Sequence, residues 1–374
     1  MKREKSIQEI CTEMIAVPSK TVDQDNVSEV LDLISDYLSG LGLTETDYVS
    51  NGVRSRLWSM GEEDSPLELL LCGHADVVDA ESDQFVPVSK DGKIYGRGAG
   101  DMKGHNAAMV VALREYLKKG ENGKVGLFIS GDEEVGGFNG ARYALEQGLK
   151  CNLVFIPDGS FDFDIVESQK APHHFHIKAK GVGGHASRAF EIDNPVNRII
   201  NVYTAMREKY SVATRDDNWH STFELTTIKT GNNSENSIPS DVDAWFSWRW
   251  PLEDFGFEEG VEDLLLLCKQ NNCELVVEGE GKGHGMGEGC LTQREDSAVV
   301  MWKEIIEGVI GKEVGYANMH GATDGRHFYK YGSKVITTSA ISGNHHAKEG
   351  EWVDIKSLEQ LSQAIVLFLN SYLD

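Results

Sequence analysis

The stretch from Leu67 to Val78 reads Leu-Glu-Leu-Leu-Leu-Cys-Gly-His-Ala-Asp-Val-Val, an apolar run that ends on an imidazole and a carboxylate two residues apart. Such a run predicts a buried strand. Residues two apart on a strand point to the same face, so His74 and Asp76 project together into the cleft at the sheet edge. A carboxylate beside an imidazole holds its second N–H and leaves the other nitrogen to a metal. Alone, His-x-Asp is a common pairing of a surface histidine with a solvated acid. Its weight comes from the other strand ends.

Lys124 to Ser130 predicts a second buried strand that runs into Gly131-Asp132-Glu133-Glu134-Val135-Gly136-Gly137, and Asn152 to Ile156 a third that ends at Pro157-Asp158-Gly159. Two helices, one carrying Ile7, Ile10, Cys11, Met14 and Ile15 and one over Asp25 to Ser39, precede the first central strand. A loop containing Gly96-Arg97-Gly98-Ala99-Gly100-Asp101-Met102-Lys103-Gly104 leads into a helix over about His105 to Lys119. Strand, loop and helix in this order open an α/β fold, whose sites gather at the carboxyl ends of the strands.

From Pro172 the pattern changes. Strands over His174–Gly181, Phe223–Thr230, Asp241–Trp250 and Cys273–Glu278 alternate with helices over Asn194–Tyr210 and Phe257–Gln270. This βαββαβ order is that of a ferredoxin-like unit. It predicts an inserted domain over residues 173–284, with a Gly-rich return linker from Gly279 to Gly289, inside a discontinuous first domain formed by 1–172 and 285–374. The first domain resumes with a helix near Ser297–Ile310, a strand Lys334–Ile341, then Gly343-Asn344-His345-His346, and a closing helix from about Ile355 to Tyr372.

Composition excludes several classes. A formal charge of −24 with no Lys/Arg cluster argues against a nucleic-acid partner. No segment reaches the roughly 18 apolar residues that span a bilayer, and the N-terminal residues do not form a signal peptide, so a cytoplasmic protein without a membrane partner is expected. The six cysteines have no Cys-x-x-Cys spacing and read as buried free thiols.

The strand ends together offer His74, Asp76, Asp101, Asp132, Glu133, Glu134, Asp158, His345 and His346. So many acids and imidazoles at one sheet edge repel or titrate away unless a cation neutralises them. Imidazole and carboxylate without thiolate suit Zn²⁺, and Co²⁺ or Mn²⁺ fit by the same softness argument.

In six motifs the chain resembles the dinuclear zinc hydrolases that include glutamate carboxypeptidase, aminoacylase, acetylornithine deacetylase and succinyl-diaminopimelate desuccinylase. These are Gly-His-Ala-Asp-Val-Val, Gly-Arg-Gly-Ala-Gly-Asp-Met-Lys-Gly, Asp-Glu-Glu-Val-Gly-Gly, Gly181-Val-Gly-Gly-His185 followed by Asn194-Pro195, Asn236-Ser-Ile-Pro239 and Thr323-Asp324-Gly325-Arg326. The resemblance implies an α/β, zinc-exopeptidase-like catalytic domain with a mixed central sheet flanked by helices, and an inserted ferredoxin-like α+β lid or dimerisation domain. It implies two divalent ions. His74, Asp101 and Asp158 would bind one; Asp101, Glu134 and a C-terminal His would bind the other. Glu133 would be the general base and Asp76 would orient His74.

The C-terminal His is His346 if the loop carries one inserted residue, since Glu351-Trp-Val353 follows it by five positions, and otherwise His345. His185 would stabilise the oxyanion across a homodimer interface. Arg326 and Arg249 resemble residues that grip a substrate carboxylate in bidentate fashion, although the companion Asp of the inserted-domain strand is Ser247 here. Asn236 would add a hydrogen bond to the substrate. His173, His174 and His176 read as structural, and His320 and His327 have no assigned role.

The implied activity is hydrolysis of the amide bond of a small peptide, exopeptidase- or dipeptidase-like, with N-acyl amino acid deacylation as the alternative. Asp158, where the carboxypeptidase and the desuccinylase carry Glu, resembles the aminopeptidase, dipeptidase and aminoacylase side. A non-catalytic metal-binding protein on the same scaffold would have no need of Glu133.

Overall fold

The computed structural model describes residues 4–61, 65–120, 123–159, 162–232, 234–254, 256–276, 287–347 and 350–373. The chain divides into two compact units, one of Met1–Ser168, Cys290–Met319 and Thr323–Asp374, the other of Gln169–Gly289 with His320–Ala322.

The first unit opens with helix α1, Ile7–Ala16, where the Ser6 side chain accepts from the Glu9 N–H and the Glu9 carboxylate accepts from the Ser6 N–H, a reciprocal cap. Helix α2 follows at Gln24–Leu38, capped by Asp23. Strands β1, Thr44–Ser50, and β2, Val53–Ser59, come next, and neither is among the elements expected from the sequence. They form an antiparallel hairpin whose turn puts Asn51 at φ 49° and Gly52 at φ 83°, the left-handed pair that tight hairpins require. The first central strand is therefore preceded by a hairpin as well as two helices, and β2 itself joins the central sheet.

Strand β3, Leu67–His74, is buried at every position but Glu68. Helix α3 covers Gly104–Lys118, strand β4 Val125–Ser130, helix α4 Ala141–Glu146, strand β5 Cys151–Ile156 and strand β6 Ile165–Gln169.

The second unit contains strands β7 (Ala171–Lys180), β8 (Thr222–Thr230), β9 (Asp241–Trp250) and β10 (Cys273–Val276), with helices α5 (Pro195–Tyr210) and α6 (Phe257–Gln270). Its antiparallel sheet runs β8-β9-β7-β10, the ferredoxin-like order. The strictly alternating burial of β9 turns Val242, Ala244, Phe246, Trp248 and Trp250 into a core shared with Ile199, Val202 and Met206 of α5 and Leu264 of α6. The last residues of the expected strand, 277 and 278, and most of the expected Gly-rich linker lie outside the described residues.

The chain returns to the first unit with α7 (Ser297–Ile310), α8 (Gly325–Lys330), β11 (Lys334–Thr337) and α9 (Ile355–Leu373). Strand β11 stops four residues short of the expected Ile341, because Thr338 and Ala340 turn their N–H groups to the Ile156 carbonyl and the His105 ring. The central sheet runs β1-β2-β4-β3-β5-β11-β6. It is mixed, since β3, β4, β5 and β11 are parallel and β2 is antiparallel to β4. Alternate residues of each strand enter different cores. Leu69, Leu71, Leu127, Ile129, Leu153 and Phe155 pack with α1, α2, α3, α7 and α9, while Leu70, Cys72, Phe128, Val154 and Ile156 pack with α4 and Phe328 of α8. Helices on both faces are what apolar parallel strands require. No helix among the described residues is long and apolar enough to cross a membrane.

Candidate metal centre

Register brings the donors level. His74, the last residue of β3, pairs with Ser130, the last of β4, and Leu71 pairs with Phe155 one residue before the end of β5. The residues that follow, Asp132-Glu133-Glu134 and Asp158, therefore emerge at the same edge. Helix α3 approaches β3 so closely that a Cβ on Gly73 would lie 2.2 Å from Asn106 Oδ1. Asn106 uses that proximity to donate to the His74 carbonyl at 2.6 Å.

His74 Nδ1 sits 2.9 Å from the carbonyl oxygen of Asp76 and 3.4 Å from its carboxylate. A carbonyl only accepts, so Nδ1 carries a proton, and Nε2 is the nitrogen turned to the other donors, where a cation would replace its proton. Orientation by residue 76 thus comes first through its backbone. The Asp76 carboxylate instead accepts from Thr21 Oγ1 at 2.7 Å and from the N–H groups of Glu133 and Glu134 at 3.2 and 3.4 Å, tying the acidic turn to the histidine strand.

His74 Nε2 faces Asp101 Oδ1 at 2.9 Å, Asp158 Oδ2 at 3.9 Å and Glu133 Oε2 at 4.0 Å. The second oxygen of Asp101 lies 3.0 Å from His346 Nε2, which is also 3.2 Å from Glu134 Oε2. His345 instead meets Ser342 Oγ at 2.9 Å. Among the described residues, two groups have donor atoms all within 4.8 Å of one another: His74 with Asp101 and Glu134, and His74 with Glu133 and Asp158.

Electrostatics supports a cation here. Burial pushes Asp158 up to about 8, with Asp101 adding to it, and burial holds Glu133 well above the carboxylate range although His74 opposes it. Glu134 is raised by burial against the pull of His346. Burial acts to raise Asp101 too, but hydrogen bonds from His346 and His74 hold it below its usual value. Those bonds to Asp101 and Glu134 lift His346 to about 10. A donor set that keeps itself neutral by borrowing protons fits divalent cations, which would take the protons' place. The residues present fit the metal requirement of the chemistry.

Behind the donors, the N-terminal end of α8 clamps the acidic turn. Ser130 Oγ donates to Asp324 Oδ2 at 2.5 Å, and Arg326 Nη2 and His327 Nε2 reach the Gly136 carbonyl at 2.7 and 2.9 Å. Gly137, at φ 65°, admits Asp324, whose Oδ1 would lie 1.9 Å from a Cβ there. Arg326, expected to grip substrate, is buried and spends one guanidinium nitrogen on the turn. Asp324 and His327 are positioning groups that sequence reasoning assigned no role, although Asp324 stands in a motif it singled out.

The remaining expected residues belong to the second unit. His185 is exposed and Asn236 is adjacent to it across a short two-residue pairing, Gly184–His185 with Ser237–Ile238, the Asn236 carbonyl accepting from the Ala186 N–H. His185 Nδ1 accepts from the Ser187 N–H at 3.2 Å, which puts the ring proton on Nε2 and makes that nitrogen a donor. Arg249 is half-buried on β9 between Pro172 and Thr222, apart from that pair.

Two overlapping His-carboxylate groups at an α/β sheet edge are a donor set suited to divalent cations. Residues 70–371 match the model of peptidase family M20/M25/M40, and the chain belongs to that family. It is similar to a succinyl-diaminopimelate desuccinylase of Thioalkalivibrio sulfidiphilus, 27% identical over 353 residues that cover 88% of this chain and 90% of that one. Among solved structures it resembles an M20 family metallo-carboxypeptidase from Sulfolobus solfataricus, with a TM-score of 0.78, 18% identity, and coverage of 98% and 99%. It also resembles a dinuclear metal-binding M20 peptidase of Bacillus subtilis, with a TM-score of 0.66, 13% identity, and coverage of 98% and 97%.

Proposed function

We propose that this enzyme hydrolyses the amide bond of a small peptide at a free terminus, with two divalent metal ions, most simply Zn²⁺, as its cofactors. The observation that carries the reading is the Asp101 carboxylate, whose two oxygens face two different imidazoles at 2.9 and 3.0 Å, as a bridge between two ions requires. His74 and Asp158 would complete one position; Glu134 and His346 would complete the other. When bound, such ions supply Lewis acidity, polarising a carbonyl and making water nucleophilic near neutral pH. Glu133, its carboxylate 4.0 Å from His74 Nε2 and raised by burial, takes the proton from water and returns it to the leaving amine. Asp76 and Asp324 hold the turn that aims it.

Glu133→Gln tests the assignment. We expect kcat to fall about 10²–10⁴-fold with metal content unchanged. Unchanged kcat, or loss of metal in parallel with activity, would sink it, the latter because Glu133 would then be a ligand.

A second reading, deacylation of an N-acyl amino acid, is favoured by the desuccinylase relative. A panel of dipeptides, tripeptides and N-acetyl and N-succinyl amino acids separates the two by kcat/KM. We further propose that His185 donates from Nε2 to the oxyanion in a homodimer, with Arg326, Arg249 and Asn236 toward substrate. The exposure and fixed tautomer of His185 support its part; a fully active monomer by sedimentation would defeat it. Free thiols throughout favour a reducing, cytoplasmic compartment.

A further inference from the structure

Glu351 and Arg97 form an ion pair that the chemistry above does not use. Arg97 Nη1 lies 2.6 Å from Glu351 Oε2, with the two side chains only 2% and 1% exposed. The other oxygen, Oε1, accepts from the backbone N–H groups of Gly100 and Asp101 at 3.0 and 3.1 Å. The other guanidinium nitrogen, Nη2, donates to the carbonyl of Ala347, the residue after His346, at 2.9 Å. One buried pair therefore grips two loops: the backbone of Asp101 and the backbone beside His346.

The anchor itself is rigid. Trp352–Asp354 pairs antiparallel with Lys93–Tyr95, and the Gly96 N–H donates to the Glu351 carbonyl at 3.1 Å, so Glu351 and Arg97 stand on adjoining strand ends. His346 needs such an anchor. Its loop adopts φ 58° at His346 and 59° at Asn344, and its imidazole is half exposed, so little packing fixes it.

We infer that the Arg97–Glu351 pair is a positioning device that sets His346 against Asp101 and thereby determines occupancy of the second metal position. This rests on the two-ion reading of the centre. Residues that orient ligands change metal affinity by about 10–100-fold when removed, without supplying a donor themselves. A pair serving only the fold would act differently. Removing one partner would strand a buried charge and lower stability, and whatever metal binding remained would weaken for both ions alike.

The test is calorimetric titration of Zn²⁺ into the metal-free full chain, for the wild type and two variants. Glu351→Gln keeps shape and an acceptor for the Asp101 N–H but loses the charge that holds Arg97. The double variant Arg97→Met with Glu351→Gln removes both charges while keeping an acceptor for the Gly100 and Asp101 N–H groups, which spares the fold an unpaired ion. We expect the wild type to bind two ions. In both variants one ion should weaken about 10–100-fold while the other stays within about threefold, and the metal-free thermal midpoint of the double variant should stay close to that of the wild type. Two ions in the wild type and unchanged affinities in the variants would overturn the positioning role alone. So would equal weakening of both ions together with a collapse of the metal-free midpoint. A single ion in the wild type would overturn the two-ion reading and this assignment with it.

Discussion

The two histidines of the centre are mounted in opposite ways. His74 ends a strand buried on both faces, its side chain is 1% exposed, and Nδ1 is committed to a backbone carbonyl, so Nε2 has one direction to point. His346 sits on a loop with its side chain 52% exposed and meets, among the described residues, the carboxylates of Asp101 and Glu134. On the two-ion reading, the first position would be built by the sheet before any cation arrives. The second is held by charge, and a loop held by charge depends on what occupies the site and on the pH.

The largest effect should come from His74→Ala. His74 is the rigidly mounted ligand of the position it shares with Asp158, so dialysed protein should lose that ion and kcat should fall by more than the ~10²–10⁴ of a lost proton shuttle. His346→Ala should spare one ion, measured by elemental analysis, and cost activity about 10²-fold. Equal loss of activity in the two variants would erase the distinction between the mounts.

The pH dependence comes next. His346 is raised to about 10 by its bonds to Asp101 and Glu134, so in metal-free protein its stabilising contribution is complete below about 6.5 and fades as pH rises through about 10. A cation must displace that proton. Zn²⁺ affinity should therefore fall with decreasing pH, up to about tenfold per unit for each proton displaced, and a flat profile from pH 6 to 8 would contradict the arrangement. The smallest effect belongs to the strand side. Thr21→Val removes one hydrogen bond to the Asp76 carboxylate and should cost about 1.5–3 kcal/mol of stability in urea unfolding, with less than a tenfold change in metal affinity.

The strand mount was legible in the sequence and much of the loop mount was not. Strands β3, β4 and β5 announce themselves because burial on both faces makes them continuous apolar runs. The polar residues that interrupt such runs then fall at strand ends. The β1–β2 hairpin was missed because Thr44 to Asp47 are all exposed and leave no apolar alternation, only the Asn51-Gly52 turn signal. Spacing left His345 and His346 both open, since the choice depends on a backbone turn, φ 58° at His346, that residue types do not encode. The supports were the least visible. Arg97 and Glu351 are 254 positions apart and Ser130 and Asp324 194 apart, and nothing local marks either pair as partners.

The level ending of β3, β4 and β5 has a further consequence for how such a centre tolerates change in chain length. Side chains alternate along a strand, so one residue gained or lost within β3 would turn His74 to the opposite face of the sheet and take it out of the position it shares with Asp158. Outside the strands no such parity applies, so length variation among chains of this kind should be purged from β3, β4 and β5 and collect in the loops.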